Sequence, residues 1–133
     1  MKIEHIAFNV PDASEVAKWY VEHPGLSIIR HVGGVNQIHF LADDQDRTTI
    51  EIYTNHDSEI PNYHELDPFI LHIAFTVEDM DAEKQRLLDA GATIAGELQN
   101  LPNGDQLLFM RDPWGIPLQL AKRSQSLRKS ERS

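Results

Sequence analysis

Two stretches of the chain alternate in the same way. "IEHIAFNV" (3–10) and "ILHIAFTV" (70–77) agree at six of eight positions, and each carries a histidine in third place. Successive side chains of a strand point to opposite faces. Ile6, Phe8 and Val10 therefore share one face, and Ile3, His5, Ala7 and Asn9 the other. The second copy sets Ile73, Phe75 and Val77 against Ile70, His72, Ala74 and Thr76. The large apolar face suits packing under a helix, so Phe8 and Phe75 are expected to be buried.

The likeness continues along the chain. "NQIHFLAD" (36–43) pairs with "DQLLFMRD" (105–112), and "TIEIYT" (49–54) with "PLQLAK" (117–122), at offsets of 69 and 68. The chain is thus one module written twice. Each copy reads strand, helix, then three strands. In the first, Asp12 is a helix N-cap with Glu15 three residues on. Val16, Trp19 and Tyr20 fall on one helical face, and Pro24-Gly25 ends it. Strands follow in "LSIIRHV", "VNQIHFLA" and "TTIEIYT", the first two joined at Gly33-Gly34. In the second, Asp79 or Asp81 caps a helix that presents Met80, Leu87 and Leu88 inward and stops at Gly91. "ATIAGEL", "QLLFMR" and "PLQLAK" are its strands, with a turn at Asn103-Gly104. The expected organisation is α+β: two βαβββ modules in tandem over 1–54 and 70–123, a polar linker over 55–69, and a disordered basic tail over 124–133.

Alternation also places polar side chains in the last strands. Glu51 lies between Ile50 and Ile52, and Gln119 between Leu118 and Leu120. A polar group there is costly unless its face is wet or occupied. Each module thus offers a histidine on its first strand and a Glu or Gln on its last. Such donors suit a hard-to-borderline divalent cation. His39 has no histidine counterpart. Alternation with Ile38 and Phe40 places it on the cleft side, as a second acid/base candidate beside Glu51. Arg30, Tyr53 and Met110 are candidate lining residues, and His56, Tyr63 and His64 lie on the linker.

Composition narrows the chemistry. There are no cysteines, so disulfides, thiolate nucleophiles and sulfur ligands are absent. Hydrophobic residues make up 41% and charged residues 25%, ordinary for a globular chain. No apolar run approaches a membrane span and no signal-peptide pattern opens the chain, so a cytoplasmic protein is expected. Residues 122–133 hold five basic residues and one acid, which leaves a net charge of −13 on the rest. So acidic a body repels nucleic acid.

The paired modules, "WYVEHPGL" after the first helix and "FMRDPWGIPLQL" in the second module resemble the vicinal oxygen chelate superfamily, over residues 2–123. That family includes glyoxalase I, methylmalonyl-CoA epimerase, fosfomycin-resistance enzymes, extradiol dioxygenases and bleomycin-binding proteins. The resemblance implies cupped mixed sheets forming a metal cleft, closed within one chain or across a homodimer. It maps the metal positions onto His5, Glu51, His72 and Gln119. The usual last donor of the family is Glu, and here it is Gln119. The metal (Zn, Ni, Co, Mn or Fe) would act as a Lewis acid on a small carbonyl substrate, stabilising an enediolate in lyase, isomerase or epimerase chemistry. Glu51 is the one donor of the four able to serve as base. The alternatives are a metal-free small-molecule binder of the bleomycin-resistance kind and a non-haem dioxygenase.

Overall fold

The computed structural model describes residues 1–132. The chain divides into two compact units, Met1–Pro61 and Asn62–Ser133. The division falls inside the expected linker.

In the first unit β1 (Ile6–Asn9) leads into α1 (Ala13–Glu22), followed by β2 (Ser27–Val32), β3 (Ile38–Ala42) and β4 (Thr49–Tyr53). The sheet order is β1-β4-β3-β2. β1 and β4 run parallel, and the other pairs are antiparallel. Asp12 caps α1, its side chain accepting from the backbone N–H of Glu15. The helix buries Ala13, Val16, Ala17, Trp19 and Tyr20. They pack beside Phe8, Val10, Leu41 and Ile52, also buried. Thr54 fixes the helix start to the sheet. Its hydroxyl donates to Val10 O and accepts from Ala13 N, at 2.8 and 2.9 Å.

The second unit repeats the plan with one break. β5 (Ile73–Thr76) and α2 (Met80–Asp89) are followed by β6 (Thr93–Ile94), β7 (Gln99–Asn100), β8 (Gln106–Arg111) and β9 (Pro117–Lys122). The sheet order is β5-β9-β8-β6, with β7 also paired to β8. The strand expected over "ATIAGEL" is therefore split. Gly96 carries no side chain to pack, and the ladder lapses around it. Asp79 caps α2, and Gly91 follows its C-cap Ala90 at φ +97°. That left-handed backbone is open to glycine at no steric cost. Met80, Leu87, Leu108, Met110, Leu118 and Leu120 form the core.

Both first strands are shorter than the repeat implies. His5 and His72 each stand one residue ahead of their ladders. Phe8 is buried as expected, whereas Phe75 is half-buried. α2 supplies fewer large apolar side chains than α1, with Met80 and Leu87 its buried residues.

The basic tail is tied down where it leaves β9. Asp105 accepts from the Ser124 backbone N–H and hydroxyl, and from Arg123 at 2.8 Å. The Ser124 N–H and then the Arg123 guanidinium hold its carboxyl down to about 2, below the ordinary 3.8. A lowered folded pKa contributes stability above the unfolded value and loses it as pH falls through the folded one. Asp105→Asn should therefore lower the urea midpoint at pH 5, and the gap to the parent should close between about pH 4 and 2. A gap that stays constant with pH would exclude this origin. Farther out, residues Lys129–Glu131 form one turn of 3-10 helix in the stretch expected to be disordered.

Candidate functional site

The register of each sheet places the predicted donors. In the first unit Glu51 on β4 sits between Ala7 on β1 and Phe40 on β3. In the second, Gln119 on β9 sits between Ala74 on β5 and Phe109 on β8. These two frames are equivalent, position for position. A small alanine on one side and a ring on the other leave the polar end group uncrowded.

The histidines complete the likeness. His5 lies edge-on to Phe40, with ring centroids 5.6 Å apart, and His72 edge-on to Phe109 at 5.0 Å. The Nδ1 of His5 contacts a Glu4 carboxylate oxygen at 3.0 Å, and that of His72 the Pro68 carbonyl at 2.8 Å. Both partners only accept, so each Nδ1 carries the proton. In a neutral ring the lone pair then sits on Nε2. Among the described residues neither Nε2 makes a hydrogen bond. The side chains of Glu51 and Gln119, both half-buried, also make no hydrogen bond or ion pair among the described residues.

Within each unit the histidine and the oxygen-bearing side chain are donor types that suit a divalent cation. An imidazole fixed through Nδ1 and open at Nε2 is the ordinary form of a metal-ligating histidine. In each sheet Glu51 or Gln119 offers an oxygen with no competing partner among the described residues. Among the described residues no three His, Asp or Glu side chains come together as a ready-made cluster.

His39 is placed differently from the sequence expectation. It pairs with Ile52, one register step from the Phe40–Glu51 pair, and so lies on the opposite face from Glu51. It is 6% exposed, bonds through Nδ1 to Gln37 O at 2.8 Å and stacks on His31 at 4.3 Å. The apolar ring of Phe40 takes the place beside Glu51. The repeat held the signal for this, since His39 aligns with core Leu108 and Phe40 with Phe109. Met110 is likewise moved to the core, fully buried opposite Leu118. Arg30 does share the Glu51 side, paired with Phe40.

The linker residues divide. His56 is exposed, Tyr63 is buried, and His64 lies against Gly115. Arg111 donates to Tyr63 O and Gly115 O, at 2.8 and 3.2 Å, and holds the 3-10 turn Tyr63–Glu65 near the loop before β9. Within that loop the Asp112 carboxylate accepts from the N–H groups of Trp114 and Ile116, both at 2.9 Å. This explains why "DPWG" can hold a large ring in its turn: the shape comes from Asp112 and not from residue 114.

The model of the Glyoxalase/Bleomycin resistance protein/Dioxygenase superfamily matches residues 2–120. The chain belongs to this superfamily. Solved structures of the superfamily and its neighbours share the fold. A glyoxalase family protein from Bacillus cereus is 21% identical with a TM-score of 0.77, covering 92% of this chain and 93% of its own. One from Enterococcus faecalis is 24% identical at 0.69, covering 91% and 97%. TnmS3, an antibiotic binding protein from a Streptomyces species, is 22% identical at 0.66, covering 93% and 99%. No curated protein matches the chain. Superfamily membership thus spans enzymes and binders, and the side chains have to decide between them. Among the described residues no helix is long and apolar enough to cross a membrane.

Proposed function

We propose that this superfamily member is a divalent-metal-dependent enzyme. It acts on a small carbonyl compound by lyase, isomerase or epimerase chemistry, with His5, Glu51, His72 and Gln119 as donors. The observation that carries the reading is the duplicated half-site. Twice, an open Nε2 accompanies an unpartnered oxygen donor in the same register. A complete donor set draws on both modules, from one chain or from the two chains of the expected homodimer. The reading keeps the cytoplasmic location expected from the sequence.

A bound divalent cation supplies Lewis acidity toward the oxygens of the substrate. The chain's own groups do the rest. Glu51 is the only carboxylate of the four, and once loosened from the cation it would accept the proton removed beside the carbonyl. Gln119 keeps an oxygen donor but takes no proton. Glu4 and Pro68 hold the two imidazoles in one tautomer. His39, turned to the other face, takes no part.

A metal-free binder is the second reading. It draws on Phe40 and Phe109, rings beside both histidines, and on the antibiotic-binding neighbour. Elemental analysis of protein purified without chelator separates the two. The enzyme reading expects close to one divalent ion per donor set, lost in Glu51→Ala and His72→Ala. A metal-free parent that still takes up small molecules would overturn it in favour of the binder.

A further inference from the structure

Beyond Glu51 against Gln119, the two half-sites differ in the chain that leads to each histidine. Ahead of His72 the chain forms a tight turn. The Asp67 carboxylate accepts from Phe69 N at 2.9 Å, and Asp67 O accepts from Ile70 N at 2.9 Å. This turn does two things at once. It aims the Pro68 carbonyl at His72 Nδ1. It also sets the Phe69 ring edge-on to Phe109, with centroids 5.2 Å apart. Phe109 in turn meets His72 and stands beside Gln119. Phe69, Phe109 and His72 form a continuous run of rings leading to the half-site donors. Yet Phe69 is 78% exposed. A phenyl ring left largely in water does little for the fold, and the turn that holds it is made by backbone and Asp67. The first module has no equivalent, since His5 is preceded by Lys2, Ile3 and Glu4 and bonds to the exposed Glu4 side chain.

We infer that Phe69 is a specificity-determining residue, which takes a flat aromatic group of the substrate while the polar end lies at His72 and Gln119. Rings prefer edge-to-face or offset contact, and Phe69 is already engaged on one side by Phe109, leaving the remainder for a ligand. The substrate class is therefore a small carbonyl compound bearing an aryl group, held with the ring outward. This deepens the proposed function and rests on it.

The test uses a matched pair of α-hydroxy ketones, 2-hydroxyacetophenone and hydroxyacetone, which differ as phenyl against methyl. Binding of each is titrated by NMR to the full chain as purified, with metal content measured on the same samples. The parent should bind the phenyl probe more tightly. Phe69→Ala should weaken the phenyl probe about two- to tenfold and leave the methyl probe unchanged, with Phe69→Leu between them. A parent without phenyl preference, an unchanged ratio in Phe69→Ala, or failure of both probes to bind would overturn the inference. So would a change of oligomeric state in Phe69→Ala, which would make the ring a subunit contact. If the parent is metal-free yet Phe69→Ala abolishes its phenyl preference, the enzyme reading falls and the aryl wall stands. Full metal content with an unchanged ratio would refute the aryl wall alone.

Discussion

Gly115→Ala should destabilise the second unit more than any other single-methyl addition in that unit's loops. At φ +91° the backbone is in the left-handed region, where a Cβ already costs about 1–2 kcal/mol. The added methyl would also stand 2.5 Å from His64 N and 2.6 Å from His64 Cγ. One of these is backbone, so a rotamer change cannot clear it. Forcing the 3-10 turn away adds the cost of overpacking, about 1–3 kcal/mol. The expected total is about 3 kcal/mol, read as a lower urea midpoint. Changing His64 to glycine as well removes the ring but not the N–H, so the double variant should recover only part of the loss. Full recovery would place the strain in the side chain alone. No loss in the single variant would contradict the close approach of the turn to this loop.

The second large effect concerns charge at the half-sites. Glu51→Ala removes a donor and should weaken a divalent cation by more than the ten- to hundredfold typical of losing a mere supporting contact. Glu51→Gln keeps the oxygen and removes the charge, so it should cost less than Glu51→Ala. Gln119→Glu adds a charge in the equivalent frame and should move affinity the other way. Competition against a chromophoric chelator measures all three. If the glutamine and glutamate exchanges shift affinity in the same direction, or neither shifts it, the two positions are not donors to one cation. Activity separates further, because Glu51→Gln loses the proton acceptor and Gln119→Glu does not. Proton abstraction should then fail in the first variant even at saturating metal.

Much of this frame is legible in the amino-acid sequence. The repeat locates both histidines, and the strand "TIEIYT" locates Glu51 by a polar residue flanked with isoleucines. The caps at Asp12 and Asp79 are legible because a carboxylate at the N-cap has one local job, bonding the backbone N–H two or three residues on. Other features depend on which face wins. Alternation gives the two sides of β3 but not which side is the core. Taking Phe40 as core puts His39 beside Glu51, whereas the ladder puts the phenylalanine there and buries the histidine. A wide apolar ring can face a ligand as readily as a core, so hydrophobicity alone misassigns it. The break in "ATIAGEL" is hidden for a different reason. Alternation runs through Gly96 unbroken, while the ladder depends on side-chain packing that a glycine lacks. The positions of Phe69 and Pro68 are not legible at all. They depend on an Asp67 turn inside a segment with no periodicity.

The equivalence of Ala7–Glu51 with Ala74–Gln119 has a historical consequence. A protein whose two halves supply the same fitting can let one half drift while the other retains the older function. Each half then serves as an internal reference for the other. A single base change in a codon for glutamate gives glutamine, so the difference between positions 51 and 119 is one small step from symmetry. Divergence of this kind alters the charge on one face of a sheet without rebuilding any backbone. It gives a duplicated scaffold a short route to new chemistry, one half at a time.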